Sequence, residues 1–175
     1  MEKIFKNIEF ELNASLKEFE ELISSLNEEQ LNILPVKGGW TSGQIARHII
    51  KVNTGFLKQL NGPVKETNRK VDNMAEDIRV SLLDFNTKLI SPDPVVPESI
   101  AYKKEDLINS LIELNCGYFN SVESLDMTKT CLLFKVPVLG YLTRLEVIYF
   151  VTYHTQRHIH QLKNTITCIE TNRFI

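Results

Sequence analysis

Apolar residues recur at steps of three and four along most of this chain, which is the period of amphipathic helices. The first stripe predicts a helix over about residues 3–27 and includes Ile8, Leu12, Leu16, Phe19 and Ile23. Similar stripes predict helices over about 103–125, with Leu107, Leu111, Leu114, Tyr118 and Val122, and over about 142–167, with Val147, Val151 and Leu162. Segments this long and this periodic indicate helices that pack against one another.

The second helix is marked by the stretch WTSGQI, which begins at Trp40. Thr41 can cap the helix while Gln44, three residues later, reaches back to the cap, as in a capping box. Trp40 and Ile45 occupy the two positions of a hydrophobic staple. The apolar stripe continues to Leu60, and a glycine and a proline at positions 62 and 63 predict the end of the helix there.

The connection between the second and third long helices is less regular. Met74, Ile78 and Leu82 predict a shorter helix. The stretch SPDPVVPES, residues 91–99, contains three prolines and predicts an extended loop. The sequence therefore predicts an all-α four-helix bundle with a short extra helix in the 63–98 connection, formed by a single domain over residues 1–175.

Composition removes several alternatives. With 7 glycines and 6 prolines, the chain has few of the turn residues that a sandwich or barrel needs. A net charge of -2 provides no electrostatic reason to expect nucleic acid as a partner. No apolar run approaches the roughly 20 residues that cross a bilayer, so no membrane association is expected. Three cysteines without CxxC spacing are typical of reduced thiols in a cytoplasmic protein.

Three of the four histidines lie within seven residues of the last helix. His154 and His158 continue the stripe of Val147 and Val151, so they occupy positions that face the inside of a bundle. Their i, i+4 spacing places them on one face, where two neutral imidazoles can bind one divalent ion. His160 lies about 200° around the helix from His158, at 100° per residue, and cannot join them.

His48 lies at the edge of the apolar stripe of the second helix and is the candidate for a third ligand. Bundles build metal sites from side chains that project inward on facing helices. Spacing alone does not establish a metal site, because chance or a hydrogen-bonded core pair also explains His154 and His158. Gln44 and Gln161 can orient the rings, although Gln44 can equally serve the helix cap. Position 155 is Thr, so the HExxH motif of zinc proteases is absent.

The motifs W-T-S-G-Q-I-x-x-H, ending at His48, and H-x-x-x-H-x-x-Q, from His154 to Gln161, together resemble the DinB-like superfamily. The stretches SPDPVVP and GYLTRLE support the resemblance, which covers nearly the whole chain. It implies an up-down-down-up four-helix bundle in which His48, His154 and His158 bind a divalent metal ion, most often zinc or nickel. It also implies a homodimer.

The resemblance further implies a metal-dependent enzyme that acts on a small-molecule substrate. Some members of this superfamily transfer a low-molecular-weight thiol to an electrophile, and others are described as hydrolases. A thiol S-transferase or a hydrolase is therefore expected. The alternative is a bundle without catalytic activity, either a metal-binding module or a plain scaffold in which the histidines belong to the core.

Overall fold

The computed structural model describes residues 2–35 and 38–172. The described chain is dominated by four long helices, α1 (Glu2–Ser25), α3 (Ser42–Asn61), α5 (Lys104–Ser124) and α6 (Arg144–Asn172). The shorter elements are α2 (Glu28–Asn32), α4 (Ala75–Leu83), a 3-10 turn (Asp93–Val95) and the strands β1 (Val64–Lys65) and β2 (Thr130–Cys131). The prediction of four long helices and a short helix between residues 63 and 98 is confirmed.

At the N-terminal end, the main difference from the prediction is the additional short helix α2, which follows a break after α1. Asn27 begins a new helix because it forms its own capping box: its side chain accepts from the Gln30 backbone, and the Gln30 side chain accepts from the Asn27 backbone. The predicted first helix, over about residues 3–27, ends at this break, but the short helix α2 that follows was not predicted. A five-residue helix has too few turns for a periodic apolar stripe, although the Asn-x-x-Gln spacing was a usable signal.

Two other short elements lie outside the predicted all-helical pattern. Strands β1 and β2 pair antiparallel with Val64 opposite Cys131, forming a two-residue ladder that is too short for an alternating sequence pattern. The predicted extended loop at 91–99 contains the 3-10 turn, in which Pro94 lies at an early position. The fixed φ of proline suits that position, because the first turn of a helix requires no donor there.

Contacts between helices establish their directions. Gln156 donates to Ser15, and Lys163 pairs with Glu18, so α1 and α6 run parallel. Helices α3 and α5 are also parallel, from the pairs Asn53–Tyr118 and Asn61–Ser121. Helices α3 and α6 are antiparallel, from the pairs His48–His154 and Leu60–Arg144. Helices α1 and α5 are antiparallel, from the pairs Glu20–Asn115 and Ser24–Lys104. The order is therefore up-down-down-up, as the resemblance implied.

The predicted stripes form the core. All the apolar residues named above for α1, α5 and α6 are buried, and α3 contributes Ile45, Ile49, Val52, Phe56 and Leu60. Burial of such side chains is the main stabilising term in a bundle of this kind. Within the part of the chain that the structure describes, no helix is both long enough and apolar enough to cross a membrane.

An ion pair with a buried carboxylate attaches the connection after β1 to the start of α6. The Glu146 carboxylate is fully buried and accepts two hydrogen bonds from the Arg69 guanidinium, at 2.5 and 2.6 Å. It also accepts from the backbone N–H groups of Met74 and Thr143, both at 2.8 Å. Because each carboxylate oxygen has two donors, the burial of this charge is compensated. The pair holds the segment before α4 against the bundle.

Candidate metal centre

The N-terminal end of α3 positions His48. Thr41 caps the helix, its hydroxyl accepting from the Gln44 backbone, while the Gln44 side chain accepts from the Thr41 backbone. The predicted capping box is therefore present, and the side-chain oxygen of Gln44 serves the cap. His48 follows about two turns later and is 2 % exposed. Its ring packs against Trp40, with the ring centroids 4.9 Å apart.

On α6, two of the three clustered histidines face the interior. His154 and His158 are both buried, and their ring centroids are 4.5 Å apart. His160 lies on the exposed side, where it stacks on Phe85 and contacts the Asn164 amide. The sequence-based separation of His160 from the other two is therefore borne out.

The structure brings His48, His154 and His158 together. The Nε2 atom of His154 lies 3.4 Å from Nε2 of His48 and 3.2 Å from Nε2 of His158. The three residues offer ligand atoms that all lie within 4.8 Å of one another, and they form the one such group of histidines, cysteines or carboxylates among the described residues. Two facing helices thus supply three imidazole nitrogens to a common point.

The hydrogen bonds of the Nδ1 atoms, which point away from the cluster, decide which tautomer the His48 and His158 rings adopt. Nδ1 of His48 lies 2.8 Å from the Val95 carbonyl oxygen, and Nδ1 of His158 lies 2.7 Å from Oε1 of Gln161. Since an oxygen of this kind only accepts, Nδ1 carries the proton in both rings and Nε2 carries a lone pair. Gln161 therefore orients the His158 ring, whereas the side-chain oxygen of Gln44 caps the helix and contacts no histidine.

The arrangement of lone pairs suits a metal ion better than a hydrogen-bonded trio. A proton on Nε2 of His154 can be donated to the Nε2 lone pair of His48 or to that of His158, but not to both. Without an ion, one of these two nitrogens is therefore left without a partner. Nδ1 of His154 is buried and has no hydrogen-bond partner in the described chain, with or without an ion, so it does not distinguish the two arrangements. Imidazole nitrogens on one tetrahedral zinc ion are about 3.3 Å apart, given bonds of about 2.0–2.1 Å. The observed separations of 3.2 and 3.4 Å fit that spacing.

Burial keeps the three imidazoles neutral, as a metal ligand must be. It lowers the pKa of His158 to about 3 and holds the pKa of His154 well below its ordinary value. The pKa of His48 is also lowered, chiefly by burial, although the Val95 carbonyl opposes the shift. The donor set is therefore ready to bind a cation at neutral pH.

The segment that supplies the Val95 carbonyl is tied to α3 by charged contacts. Lys51 donates to the Val96 carbonyl at 2.8 Å and pairs with the Glu98 carboxylate at 2.7 Å. Arg47 pairs with the same carboxylate at 3.3 Å. These contacts, with Lys51 first, lower the pKa of Glu98 to about 2. Sequence reasoning missed this role, because a backbone carbonyl in a proline-rich loop carries no motif.

Comparisons with known proteins agree with the fold. The family model of the DinB superfamily matches residues 11–162. The solved structure of TT2238, a four-helix bundle protein, aligns with a TM-score of 0.59 and 18% identity, covering 91% of this chain and 98% of that one. YfiT from Bacillus subtilis aligns with a TM-score of 0.60 and 14% identity, covering 94% and 87%. YfiT is described as a probable metal-dependent hydrolase with an unusual four-helix bundle topology. No curated protein matches this chain.

Proposed function

This chain belongs to the DinB superfamily, and on that basis we propose that it is a metal-dependent enzyme whose divalent ion binds His48, His154 and His158. The observation that carries the proposal is the convergence of three Nε2 atoms at 3.2 and 3.4 Å. The hydrogen bonds from Nδ1 of His48 and His158 support it further, because they leave both Nε2 lone pairs free for the ion. Metal-binding histidines in proteins are commonly oriented in this way.

Three neutral nitrogen ligands match the ligand number of catalytic rather than structural zinc sites, since catalytic sites keep an open position. An ion held there would lower the pKa of a thiol or a water molecule and so supply a nucleophile near neutral pH. The residues of this chain would bind the ion, exclude bulk water from it and hold the His48 and His158 rings in one tautomer. Zinc and nickel are the first metals to test, because imidazole suits both.

Two reaction classes are consistent with this chemistry, and both use a small-molecule substrate. Transfer of a low-molecular-weight thiol to an electrophile follows from the superfamily resemblance. Hydrolysis is supported by the description of YfiT as a probable metal-dependent hydrolase. Consumption of a free thiol in the presence of an electrophile would identify the first, and ester or amide cleavage without added thiol the second. The homodimer that the resemblance implies stays a prediction.

Elemental analysis of untagged protein tests the proposal directly. We expect about one divalent ion per chain in the wild type and in His160→Ala, and loss of the ion in His154→Ala. His160 is a matched control because it lies on the same helix but faces outward. A wild-type protein that neither contains a divalent ion nor gains thermal stability from added zinc or nickel would refute the proposal. The scaffold alternative would then hold.

A further inference from the structure

Aromatic side chains flank the histidine cluster on both sides. Trp40 packs on His48 with the ring centroids 4.9 Å apart. Phe150 stacks on His154 with the centroids 5.7 Å apart and the planes only 17° from parallel. Both aromatic residues are half-buried, whereas the imidazoles they contact are buried. Partly exposed aromatic surface therefore lies directly beside the candidate metal ligands.

The aromatic contacts continue away from His154. Phe150 stacks on Phe56 at 4.4 Å, and Phe56 meets Phe134 edge-on at 5.5 Å. We call Phe56, Phe134 and Phe150 the aromatic shelf. They come from three places in the chain, namely α3, the loop after β2 and α6. The shelf is thus assembled by the tertiary structure.

A buried glutamine holds the outer member of the aromatic shelf in place. The Gln59 amide donates to the Phe134 carbonyl at 3.0 Å and accepts from the Phe134 backbone N–H at 2.9 Å. Gln59 has no solvent exposure, so its polar group depends entirely on such partners. This two-point attachment keeps the Phe134 backbone, and with it the start of the side chain, in one place.

Exposure separates Trp40, Phe134 and Phe150 from ordinary core aromatics, whereas Phe56 is buried and supports the two shelf rings that it contacts. Phe19 and Tyr118 are 1 % and 0 % exposed and lie in the bundle interior. Trp40, Phe134 and Phe150 retain solvent-accessible surface next to a site that three histidines define. A flat apolar group placed against that surface would gain stacking as well as burial.

Building on the proposed function, we infer that the substrate carries an aromatic group beside its reacting group. The reacting group reaches the ion on His48, His154 and His158, and the aromatic group packs on the aromatic shelf. Small-molecule sites are commonly built in this way, with an apolar lining and a few polar groups that fix orientation. The shelf thereby selects aryl over small aliphatic substrates.

The test compares two probes that share one metal-binding group, acetohydroxamate and benzohydroxamate. Their dissociation constants are measured on cobalt-loaded protein from the change in its visible spectrum, so no activity assay is required. We expect the phenyl-bearing probe to bind on the order of tenfold more tightly. Phe150→Leu and Phe134→Leu should each reduce that preference severalfold. Phe119→Leu, at an exposed phenylalanine on α5, should leave it unchanged.

The outcomes distinguish this inference from the function on which it rests. Equal affinities of the two probes for the cobalt-loaded wild type would overturn the inference while leaving the metal site intact. An undiminished preference in both leucine variants would also overturn it, because the shelf would then play no part. A wild-type chain that takes up no cobalt and gains no thermal stability from zinc or nickel would instead overturn the proposed function, and the inference with it.

Discussion

Replacement of Gln161 by leucine isolates the contribution of a single hydrogen bond to metal binding. Oε1 of Gln161 lies 2.7 Å from Nδ1 of His158 and holds the proton on that nitrogen, which leaves Nε2 free to bind the ion. Leucine keeps much of the side-chain volume but offers no acceptor. The His158 ring can then adopt the opposite tautomer, in which Nε2 carries the proton and cannot bind metal.

The expected loss follows from the surroundings of this contact. Removing an outer partner of a metal-binding histidine reduces metal affinity by about 10- to 100-fold. Gln161 is only half-buried, so water can replace part of the lost hydrogen bond. We therefore expect the low end of that range, about tenfold, which corresponds to about 1.4 kcal/mol. Gln161→Glu should act in the opposite direction, because a carboxylate is a stronger acceptor and increases the basicity of the ring.

The assay is competition for zinc between the protein and a chromophoric chelator at pH 7. Gln156→Leu is the matched control, because Gln156 lies on the same helix and its amide donates to Ser15 on α1 rather than contacting a histidine. That variant should keep the wild-type dissociation constant within about twofold. An unchanged constant in Gln161→Leu, or an equal loss in both variants, would refute the proposed role of the His158 tautomer.

Two further predictions concern stability and are measured by urea denaturation. Arg69→Met leaves the fully buried Glu146 carboxylate without its charged partner and should lower the free energy of unfolding by about 3 kcal/mol. Arg79→Met, which breaks the exposed pair with Glu76, should change it very little, and equal losses in the two variants would contradict the assigned burial effect. Val138 has a φ of 68°, which is unfavourable for a β-branched residue. Val138→Gly should therefore raise the free energy of unfolding by up to about 1 kcal/mol. A lower urea midpoint in this variant would contradict the assignment of backbone strain to Val138.

Local patterns predicted much of the fold. The apolar stripe of α3 and its capping box at Thr41 depend on residues within a few positions of one another, so the sequence specified them well. The short helix α2 was missed because five residues are too few for a periodic apolar stripe. The pairing of β1 with β2 could not be predicted, since two residues per strand carry no periodic signal and the partners are distant in sequence.

In the candidate site, too, local patterns predicted the features that depend on nearby residues but not those that depend on distant residues. The i, i+4 spacing of His154 and His158 and the outward position of His160 follow from helix geometry, which the sequence alone determined. The approach of His48, 106 residues before His154, depended on how α3 packs against α6. The superfamily resemblance anticipated this meeting, but the spacing of the histidines did not.

The sequence by itself determined which segments are helical, which faces are apolar and which two histidines share a face, because each of these depends on residues close together in the chain. The tertiary structure decided the tautomer of His48, the charged partner of the buried Glu146 and the aromatic surroundings of the site, whereas the tautomer of His158 depends on Gln161, three residues along the same helix. Val95 lies 47 residues from His48, and Arg69 lies 77 residues from Glu146. Such pairs form only when the packing of the whole bundle brings their elements together.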